Sequence, residues 1–208
     1  RKYNGTANDS DGPTGIVVSN RGDVYVTGYC KENGSEDDYV TLKYNSSGQE
    51  LWVKKYNGEA NGKDYPNKIV INSSGDIFVT GHSEGIGSSF DLVTIKYNAE
   101  GVEQWINRYN RKDGSNELFG MIVADNEEDV YAMVNSSIFD GVLYSNNLVL
   151  IKYNSSGIKE WEQICNNYFE KLINGNALLI DSENNIVIAG TAEIKDQHSS
   201  HEGNFAMK

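Results

Sequence analysis

The sequence predicts an all-β fold, a β-propeller made of four-stranded antiparallel blades, on three observations. A motif recurs in which Lys-Tyr-Asn is followed by Gly three residues later and by Trp four residues after that. Its tryptophans, Trp52, Trp105 and Trp161, recur at a period of about 50 residues, which marks a repeat architecture. Each of the first three repeats also contains four short runs of β-branched and aromatic residues bounded by Asn, Ser and Gly, and the fourth contains three. Four antiparallel strands per repeat are typical of a propeller blade, whereas the coils of a parallel β-helix are much shorter.

The individual strands follow from these runs and the turns between them. In the second repeat, alternation puts Val93 and Ile95 on one face of a strand and Leu92 and Thr94 on the other. Both faces of this strand therefore carry side chains that can pack against another sheet, as expected of a sheet that lies between two others. The predicted strands are Gly15–Ser19, Asp23–Gly28, Asp38–Tyr44, Glu50–Tyr56; Lys68–Ile71, Ile77–Gly81, Asp91–Tyr97, Glu103–Tyr109; Gly120–Ala124, Asp129–Val134, Asn147–Tyr153, Lys159–Cys165; and Ala177–Asp181, Asn185–Gly190 and Phe205–Lys208.

The two ends of the chain suggest how the repeats are arranged. The units span about 1–56, 57–109, 110–165 and 166–208, and the fourth has no fourth run. Arg1–Gly5 matches Lys54–Gly58, the tail of a preceding outer strand. We expect a piece of a larger ring, with further blades before Arg1 and after Lys208 or supplied by a partner chain. In a four-bladed ring, the alternative, Arg1–Asn4 would pair with Phe205–Lys208 and complete the last blade.

The repeated residues resemble those of the prokaryotic β-propeller repeat family often called SBBP. The resemblance rests on the patterns of Asp23–Gly28 and Asp76–Gly81, on Asp-x-Val-Thr-Leu/Ile-Lys-Tyr-Asn, and on Gly-x-x-x-Trp-x-x-x-Tyr-Asn. It covers nearly the whole chain, although repeat three has Ala132-Met133-Val134 in place of Val-Thr-Gly and repeat four has no Trp. The resemblance implies a propeller, commonly seven-bladed, in secreted or surface-anchored proteins. It implies no single activity and no shared catalytic residues.

Composition limits the partners. The formal charge is −12, and an acidic surface repels phosphate backbones, so nucleic acid is not expected as a partner. No apolar run is long enough to span a membrane. Cys30 and Cys165 occupy different places in their repeats and are expected to be unpaired. No phosphate-cradling glycine loop, Ser-His-Asp arrangement or reactive-cysteine environment is recognisable, so the sequence predicts no cofactor and no catalytic residue.

Residues that recur in every repeat are predicted to be structural. Packing needs one wedge per blade, whereas a binding site needs a given side chain once or twice, so each Trp is interpreted as a wedge between blades. The Asn-Ser-Ser-Gly turns have a backbone reason, because Asn and Gly tolerate positive φ. The predicted structural residues are Trp52, Trp105, Trp161, Gly48, Gly101 and Gly157. Sequons that could carry glycans in a secreted protein include Asn45, Asn72, Asn135 and Asn154.

One rim of the predicted ring differs from repeat to repeat, and we call it the variable rim. It is formed by the loops between second and third strands and between fourth and first strands. Loops tolerate change and carry binding sites, although drift in unconstrained loops would look the same. The variable-rim segments are Tyr29–Asp37, His82–Phe90, Asn135–Asn146, Thr191–Asn204, Asn57–Asn67 and Asn110–Phe119. The candidate binding residues are Asp37, Asp64, Tyr65, His82 and Asp91.

Metal sites are weaker candidates. His198-Ser199-Ser200-His201-Glu202 has zinc-ligating residue types, but their order is not that of a helical zinc motif. Asn8–Gly12 and Asp125–Asp129 are acid-rich without the spacing of an EF-hand, and the second is interpreted as a solvated turn. The sequence therefore predicts no metal.

Three functions remain open at this point. The first is a non-enzymatic module at or outside the cell surface that binds a protein or a glycan through the variable rim. The second is a propeller hydrolase or lyase with its site at the channel mouth, for which Asp37, Asp64, His82 and Asp91 are candidates. The third is an architectural part of a surface assembly.

Overall fold

The computed structural model describes residues 2–111, 114–125, 127–139, 144–165, 173–195 and 200–207, and every regular element in these ranges is a β-strand. The all-β prediction is therefore confirmed. Within the same ranges, no helix is long and apolar enough to cross a membrane.

The strands form four antiparallel sheets in chain order. Sheet 1 contains β1 (Gly12–Val18), β2 (Val24–Lys31), β3 (Asp37–Tyr44) and β4 (Glu50–Tyr56). Sheet 2 contains β5 (Asp64–Ile71), β6 (Ile77–Glu84), β7 (Phe90–Tyr97) and β8 (Glu103–Tyr109). Sheet 3 contains β9 (Ser115–Ala124), β10 (Val130–Phe139), β11 (Tyr144–Tyr153) and β12 (Lys159–Cys165). Sheet 4 contains β13 (Ile173–Ile180), β14 (Ile186–Lys195) and β15 (Ser200–Met207).

Each sheet is a meander whose strands pair in sequence order. Consecutive sheets meet at their first strands, since β1 contacts β5, β5 contacts β9 and β9 contacts β13. In the described part of the chain, β15 pairs with β14, and no strand pair joins sheet 4 to sheet 1. The four sheets therefore form a series of similar units, and the structure does not show a closed ring.

The first strand of each sheet begins earlier than predicted. β5 begins at Asp64 instead of Lys68, and its pairing with β6 shifts register between Pro66 and Lys68. The other first strands shift at the corresponding place. Such a bulge adds one residue to the strand, so side chains before the bulge point to the opposite face from the one that simple alternation predicts. The sequence pattern of the first strand is therefore recognisable only after the bulge.

The bulge explains the glycine of the Val-Thr-Gly pattern. A Cβ on Gly81 would collide with the backbone carbonyl of Tyr65, and one on Gly28 with that of Gly12. The bulged first strand therefore presses on the second strand at a point where no side chain fits. In sheet 3, Val134 takes this position and Phe119 of the facing strand has a φ of +59°.

The core lies between the sheets. Tyr25 and Tyr39 of sheet 1 pack against Ile77, Val79 and Ile95 of sheet 2, and all five are buried. The interface between sheets 2 and 3 is built in the same way, around the buried residues Leu92, Tyr109, Ala132, Val134, Val149, Ile151 and Tyr153. Both faces of a central sheet are therefore covered, as the two-sided packing pattern of β7 predicts.

The interface between sheets 1 and 2 and the interface between sheets 2 and 3 each contain one tryptophan joint. Trp52 of sheet 1 covers Gly101 of sheet 2, where an added Cβ would lie 2.8 Å from the Trp52 ring. The Trp52 Nε1 donates a hydrogen bond to the carbonyl oxygen of Ala99 at 3.2 Å. Gly101 has a φ of +78°, a conformation that glycine adopts without strain. The Gly of one motif thus receives the Trp of the motif before it, and these two residues form the two halves of a joint between successive sheets.

The next joint repeats this geometry. Trp105 covers Gly157, which has a φ of +80°, and its Nε1 donates to the carbonyl oxygen of Ser155 at 3.1 Å. Trp161 differs, because 40% of its surface is exposed. Its ring lies 6.0 Å from that of Tyr131 in its own sheet.

The motif lysines are part of the same joints. Lys43 donates to the Ala99 carbonyl oxygen at 3.0 Å and forms an ion pair with Asp23 of its own sheet at 3.2 Å. Lys96 donates to the Ser155 carbonyl oxygen at 3.3 Å. Each acceptor carbonyl therefore receives both a lysine and a tryptophan from the preceding sheet. These partners explain how a lysine can be almost fully buried.

We expect Trp105→Ala to destabilise the protein far more than Trp161→Ala. The first substitution removes a ring packed between two sheets and leaves the Ser155 carbonyl with one donor fewer, which should cost about 3 kcal/mol of unfolding free energy. The second removes a ring that is 40% exposed and contacts only its own sheet among the described ring pairs, and it should cost about 1 kcal/mol. Denaturant unfolding of both variants measures the difference, and equal losses would contradict the wedge interpretation.

Candidate functional site

Four half-buried rings line the variable rim where sheets 1 and 2 meet, and we call them the aromatic row: Tyr29, Tyr65, His82 and Phe90. The centroids of the Tyr29 and Tyr65 rings are 5.3 Å apart, in an edge arrangement. His82 lies directly opposite Tyr65 in the strand register, with 5.5 Å between ring centroids. Phe90 continues the row at 5.0 Å from His82. The row thus passes from sheet 1 across the strands of sheet 2 with close ring contacts throughout.

Asp37 provides a carboxylate beside this row. The Tyr65 hydroxyl donates a hydrogen bond to its Oδ2 at 2.5 Å. Burial and the neighbouring Asp37 raise the pKa of Tyr65, so its hydroxyl remains protonated and acts as a donor at neutral pH. The contact joins a strand of sheet 1 to a strand of sheet 2 and fixes the orientation of the Tyr65 ring.

His82 is held by the bulge of β5. Its Nδ1 lies 3.2 Å from Oδ1 of Asn67, the extra residue of that bulge. The Asn67 oxygen also accepts the backbone N–H of Gly120 in sheet 3. Burial lowers the pKa of His82 to about 4, so the imidazole is neutral at physiological pH. Because an amide oxygen only accepts hydrogen bonds, the neutral ring carries its proton on Nδ1.

Asp64 and Asp91 lie behind this surface and are fully or almost fully buried, at 0% and 2% exposure. Asp64 Oδ2 accepts the backbone N–H of Gly58 at 2.7 Å. Asp91 Oδ2 accepts a hydrogen bond from Arg108 Nη1 at 2.7 Å. Both carboxylates flank Ser83, which is paired with each of them in the sheet. Burial raises the pKa of Asp64.

Arg108 makes this cluster a link between sheets. Its Nη2 donates to Ser83 Oγ at 2.5 Å and to the hydroxyl of Tyr56, in sheet 1, at 3.1 Å. The guanidinium thereby connects the last strand of sheet 1 with three strands of sheet 2. We interpret this cluster as structural, because its polar atoms are directed at the protein itself.

Copies of this carboxylate in other repeats support the structural interpretation. Asp11 accepts the backbone N–H of Gly5 at 2.9 Å, as Asp64 accepts that of Gly58. Glu117, at the corresponding position of sheet 3, accepts a hydrogen bond from Ser136 and is fully buried. In each case the carboxylate secures the segment that enters the first strand of a sheet.

The structure corrects the placement of the candidate binding residues. The sequence predicted that Asp37, Asp64, Tyr65 and His82 lie in variable-rim loops and that Asp91 begins a strand, whereas all five lie in strands. The strands extend beyond the Val-Thr-Gly pattern and begin before the bulge, where alternation is lost. Asp37, Tyr65 and His82 come together at the surface, but Asp64 and Asp91 belong to the buried cluster.

Several residues of the site were not singled out from the sequence. Tyr29 and Phe90 lay in the variable segments, but nothing in the sequence indicated that they would meet Tyr65 and His82. Tyr29 does align with His82, since both follow Val-Thr-Gly. Arg108 aligns with Lys55, which forms an ion pair with Glu32 in sheet 1. A cation at the same position of two repeats was the available signal for the buried cluster.

Three of the sequons lie in turns, where their side chains have backbone roles. Asn45 and Asn154 each accept two backbone N–H groups of their turn, and Asn72 accepts that of Asp76. Asn135 instead lies in β10, and its amide forms two hydrogen bonds with the backbone of Gly175. The turn explanation therefore does not apply to Asn135.

Over the described ranges, no group of three or more His, Cys, Asp or Glu residues is arranged to hold a metal ion. In the acid-rich Asn8–Gly12 segment, the Oδ2 atom of Asp9 forms an ion pair with the Nζ atom of Lys31 at 3.5 Å. Asp125 accepts the backbone N–H groups of Glu127 and Asp129, as a turn residue does. His198 lies outside the described residues. Both cysteines are free.

Comparisons with known proteins bear on the fold alone. No protein-family model matches the chain, and no curated protein matches it. Among solved structures, an endo-arabinase from Bacteroides thetaiotaomicron is similar with a TM-score of 0.50 at 9% identity, over 93% of this chain and 73% of the other. A protein of unknown function from Dyadobacter fermentans is similar with a TM-score of 0.55 at 9% identity, over 91% of this chain and 63% of the other.

We expect Arg108→Met to lower the free energy of unfolding by about 3 kcal/mol, because it leaves the buried Asp91 carboxylate without its charged partner. The double variant Arg108→Met/Asp91→Asn should recover much of this loss. Lys68→Met removes an exposed cation and serves as the control, with an expected change within about 0.5 kcal/mol. Denaturant unfolding measures all three, and simple additivity in the double variant would contradict the pairing.

Acid should destabilise the protein partly through His82. Its pKa is lowered in the folded state, so the neutral imidazole contributes stability above the unfolded pKa of about 6.5. This contribution is lost as pH falls from about 6.5 to about 4, by no more than roughly 3 kcal/mol. His82→Phe keeps a ring in the aromatic row and should lack this part of the slope. Unfolding free energies measured across this pH range test it, and parallel curves would refute it.

Proposed function

We propose that this chain is a β-propeller segment that works as a non-enzymatic binding module, and that the aromatic row binds a glycan. Four similar antiparallel sheets, packed in series through their first strands, support the propeller arrangement. The similarity to two solved structures over more than nine tenths of the chain supports the same general fold. The open series is in keeping with a larger ring, to which further blades of the same polypeptide or a partner chain contribute.

The aromatic row is the observation that carries the binding proposal. Its rings are partly exposed at a strand-supported surface, so they do not have to be ordered when a ligand binds. Aromatic rings present an apolar surface, and the neighbouring Asp37 and Tyr65 supply polar atoms that fix orientation. Sugars have apolar C–H faces and hydroxyl groups that fit such a combination. A negatively charged chain favours a neutral glycan over an anionic one.

We place the module outside the cell or at its surface. This part of the proposal rests on the resemblance to the SBBP repeats. A protein ligand on the same rim is the other candidate that the sequence raised, and the partly exposed rings suit either partner. Glycan is preferred because the row combines closely packed, partly exposed rings with a carboxylate acceptor at its side.

The alternative is a hydrolase with its site at the channel mouth. One of the two similar structures is an endo-arabinase, which makes an enzymatic test worthwhile. Of the four candidate residues, Asp64 and Asp91 are buried and bonded within the protein, which leaves Asp37 and His82 near the surface. A glycosidase ordinarily needs two carboxyl groups flanking the substrate. The described arrangement therefore favours binding over hydrolysis.

The test is a glycan array of neutral oligosaccharides, followed by calorimetry of the strongest ligand. Tyr65→Ala and Phe90→Ala should each weaken binding about tenfold, which corresponds to the loss of one ring contact. Tyr65→Phe keeps the ring and should retain most of the affinity. Trp161→Ala removes an exposed aromatic ring outside the row and is the matched control.

Two outcomes would contradict the proposal. A blank array at high protein concentration would remove the glycan, and a ligand that binds equally well to Tyr65→Ala and Phe90→Ala would remove the site. Release of reducing sugar from polysaccharides, arabinan included, that Asp37→Asn abolishes would favour the enzyme instead.

A further inference from the structure

Sheet 1 has an apolar groove of about 520 Å³ on the face that points away from sheet 2. Val24, Val26, Val40 and Leu42 line it, together with the turn around Ser46. Val24 and Val26 are only half-buried. An apolar groove of this kind on a sheet face requires an explanation, because sheets 2 and 3 do not leave these positions open.

The same positions are fully covered in the next two sheets. Ile77 and Val79 of sheet 2 correspond to Val24 and Val26 in the repeat, and both have no exposed surface. Sheet 1 covers them with Tyr25 and Tyr39. In sheet 3 the corresponding residues, Val130 and Ala132, are likewise without exposed surface. The groove is thus a further copy of a face that receives a preceding sheet in sheets 2, 3 and 4.

The interfaces between sheets 1 and 2 and between sheets 2 and 3 show what such a face accepts. In each, the preceding sheet brings a Trp onto the turn glycine, and its indole N–H reaches a turn carbonyl. A Lys nine residues before that Trp donates to the same carbonyl. Ser46 corresponds to the acceptors Ala99 and Ser155, and Gly48 has the same φ of +78° as Gly101. Sheet 1 therefore has the accepting half of the joint.

The segment that would follow such a preceding sheet is already in position. Tyr3 packs against the buried cluster of Cys30, Val40 and Leu42, and its hydroxyl interacts with Lys55. Tyr56, one repeat later, packs in the interface with sheet 2 and accepts a hydrogen bond from Arg108, the counterpart of Lys55.

The backbone that follows is bound in the same way in both repeats. Gly5 donates its N–H to Asp11, as Gly58 donates to Asp64. Residues 3–5 thus sit on sheet 1 as residues 56–58 sit on sheet 2, where they are the continuation of a Trp-bearing fourth strand.

We propose that the groove on sheet 1 is a docking site for one further sheet of this repeat type. Its third strand carries a Lys, and its fourth strand carries a Trp nine residues later and leads into Tyr3. The Trp lies over Gly48 and donates to the Ser46 carbonyl oxygen, and aromatic residues of its second and third strands cover Val24 and Val26. The docked sheet would form, on this face of sheet 1, the same kind of interface that joins sheet 1 to sheet 2 and sheet 2 to sheet 3.

A chain extended by one repeat tests the proposal. A second copy of residues 5–53 is placed before Arg1, which restores the repeat spacing because Arg1–Asn4 then follows the copy's Val53 as Lys54–Asn57 follows Val53 in repeat one. Val26→Cys in the original repeat provides the probe. The thiol should react with a maleimide in the 208-residue chain and lose this reactivity in the extended chain. Mass mapping separates its labelling from that of Cys30 and Cys165.

The matched control is the extended chain in which only the copy's Trp52 is replaced by Ala. Reactivity of the Val26→Cys thiol should then return in part, because the joint loses its wedge. A thiol that stays fully reactive in the extended chain overturns the proposal. Dimerisation of the 208-residue chain that Val26→Asp abolishes also overturns it, since the occupant would then be a second copy of the chain, whose described sheet 4 residues bring no Trp.

Discussion

The fold depends on one contact, in which the tryptophan of a sheet lies against the backbone of a turn in the next sheet. Trp52 and Trp105 each fill a place that only glycine leaves open, and each anchors its indole N–H on a turn carbonyl. Apolar side chains across the interface supply most of the buried surface, but they are not directional. The tryptophan joint adds direction, because its ring and its hydrogen bond fit one relative placement of the two sheets.

The two rims of the sheets consequently have different tasks. The rim made by the first and third turns of each sheet carries the joints, so the Asn-Ser-Ser-Gly turns cannot vary freely. At the variable rim, buried carboxylates such as Asp64 secure the backbone from beneath, and the outer surface is available for other side chains. The aromatic row occupies that surface, and none of its four residues belongs to a tryptophan joint. The supporting cluster around Arg108 keeps the strands beneath this row aligned.

The sequence predicted the repeated sheets because their determinants are local and periodic. Each of these determinants acts within one strand or hairpin. They are the Gly-to-Trp spacing, the Asn-Ser-Ser-Gly turns and the alternation of side chains in Asp91–Tyr97. The bulge in each first strand was not predicted, since one extra residue reverses the alternation on which the prediction relied. This error moved Asp64 and Tyr65 onto a loop. The aromatic row itself joins residues of four strands and two sheets, and its contacts depend on how the sheets pack.

Because consecutive joints are built from the same parts, they are in principle interchangeable. Sheet 1 contributes Trp52 and Lys43 to its joint with sheet 2. The same two side chains fit the turn glycine and turn carbonyl of sheet 3 equally well, because those of sheets 2 and 3 have the same arrangement. Loss or duplication of a whole repeat would therefore bring compatible surfaces together, whereas loss of part of a repeat would leave a mismatched pair. A gene built from such repeats can change length in complete modules while keeping this type of joint, so selection can act on the rim of one module while its neighbours stay as they are.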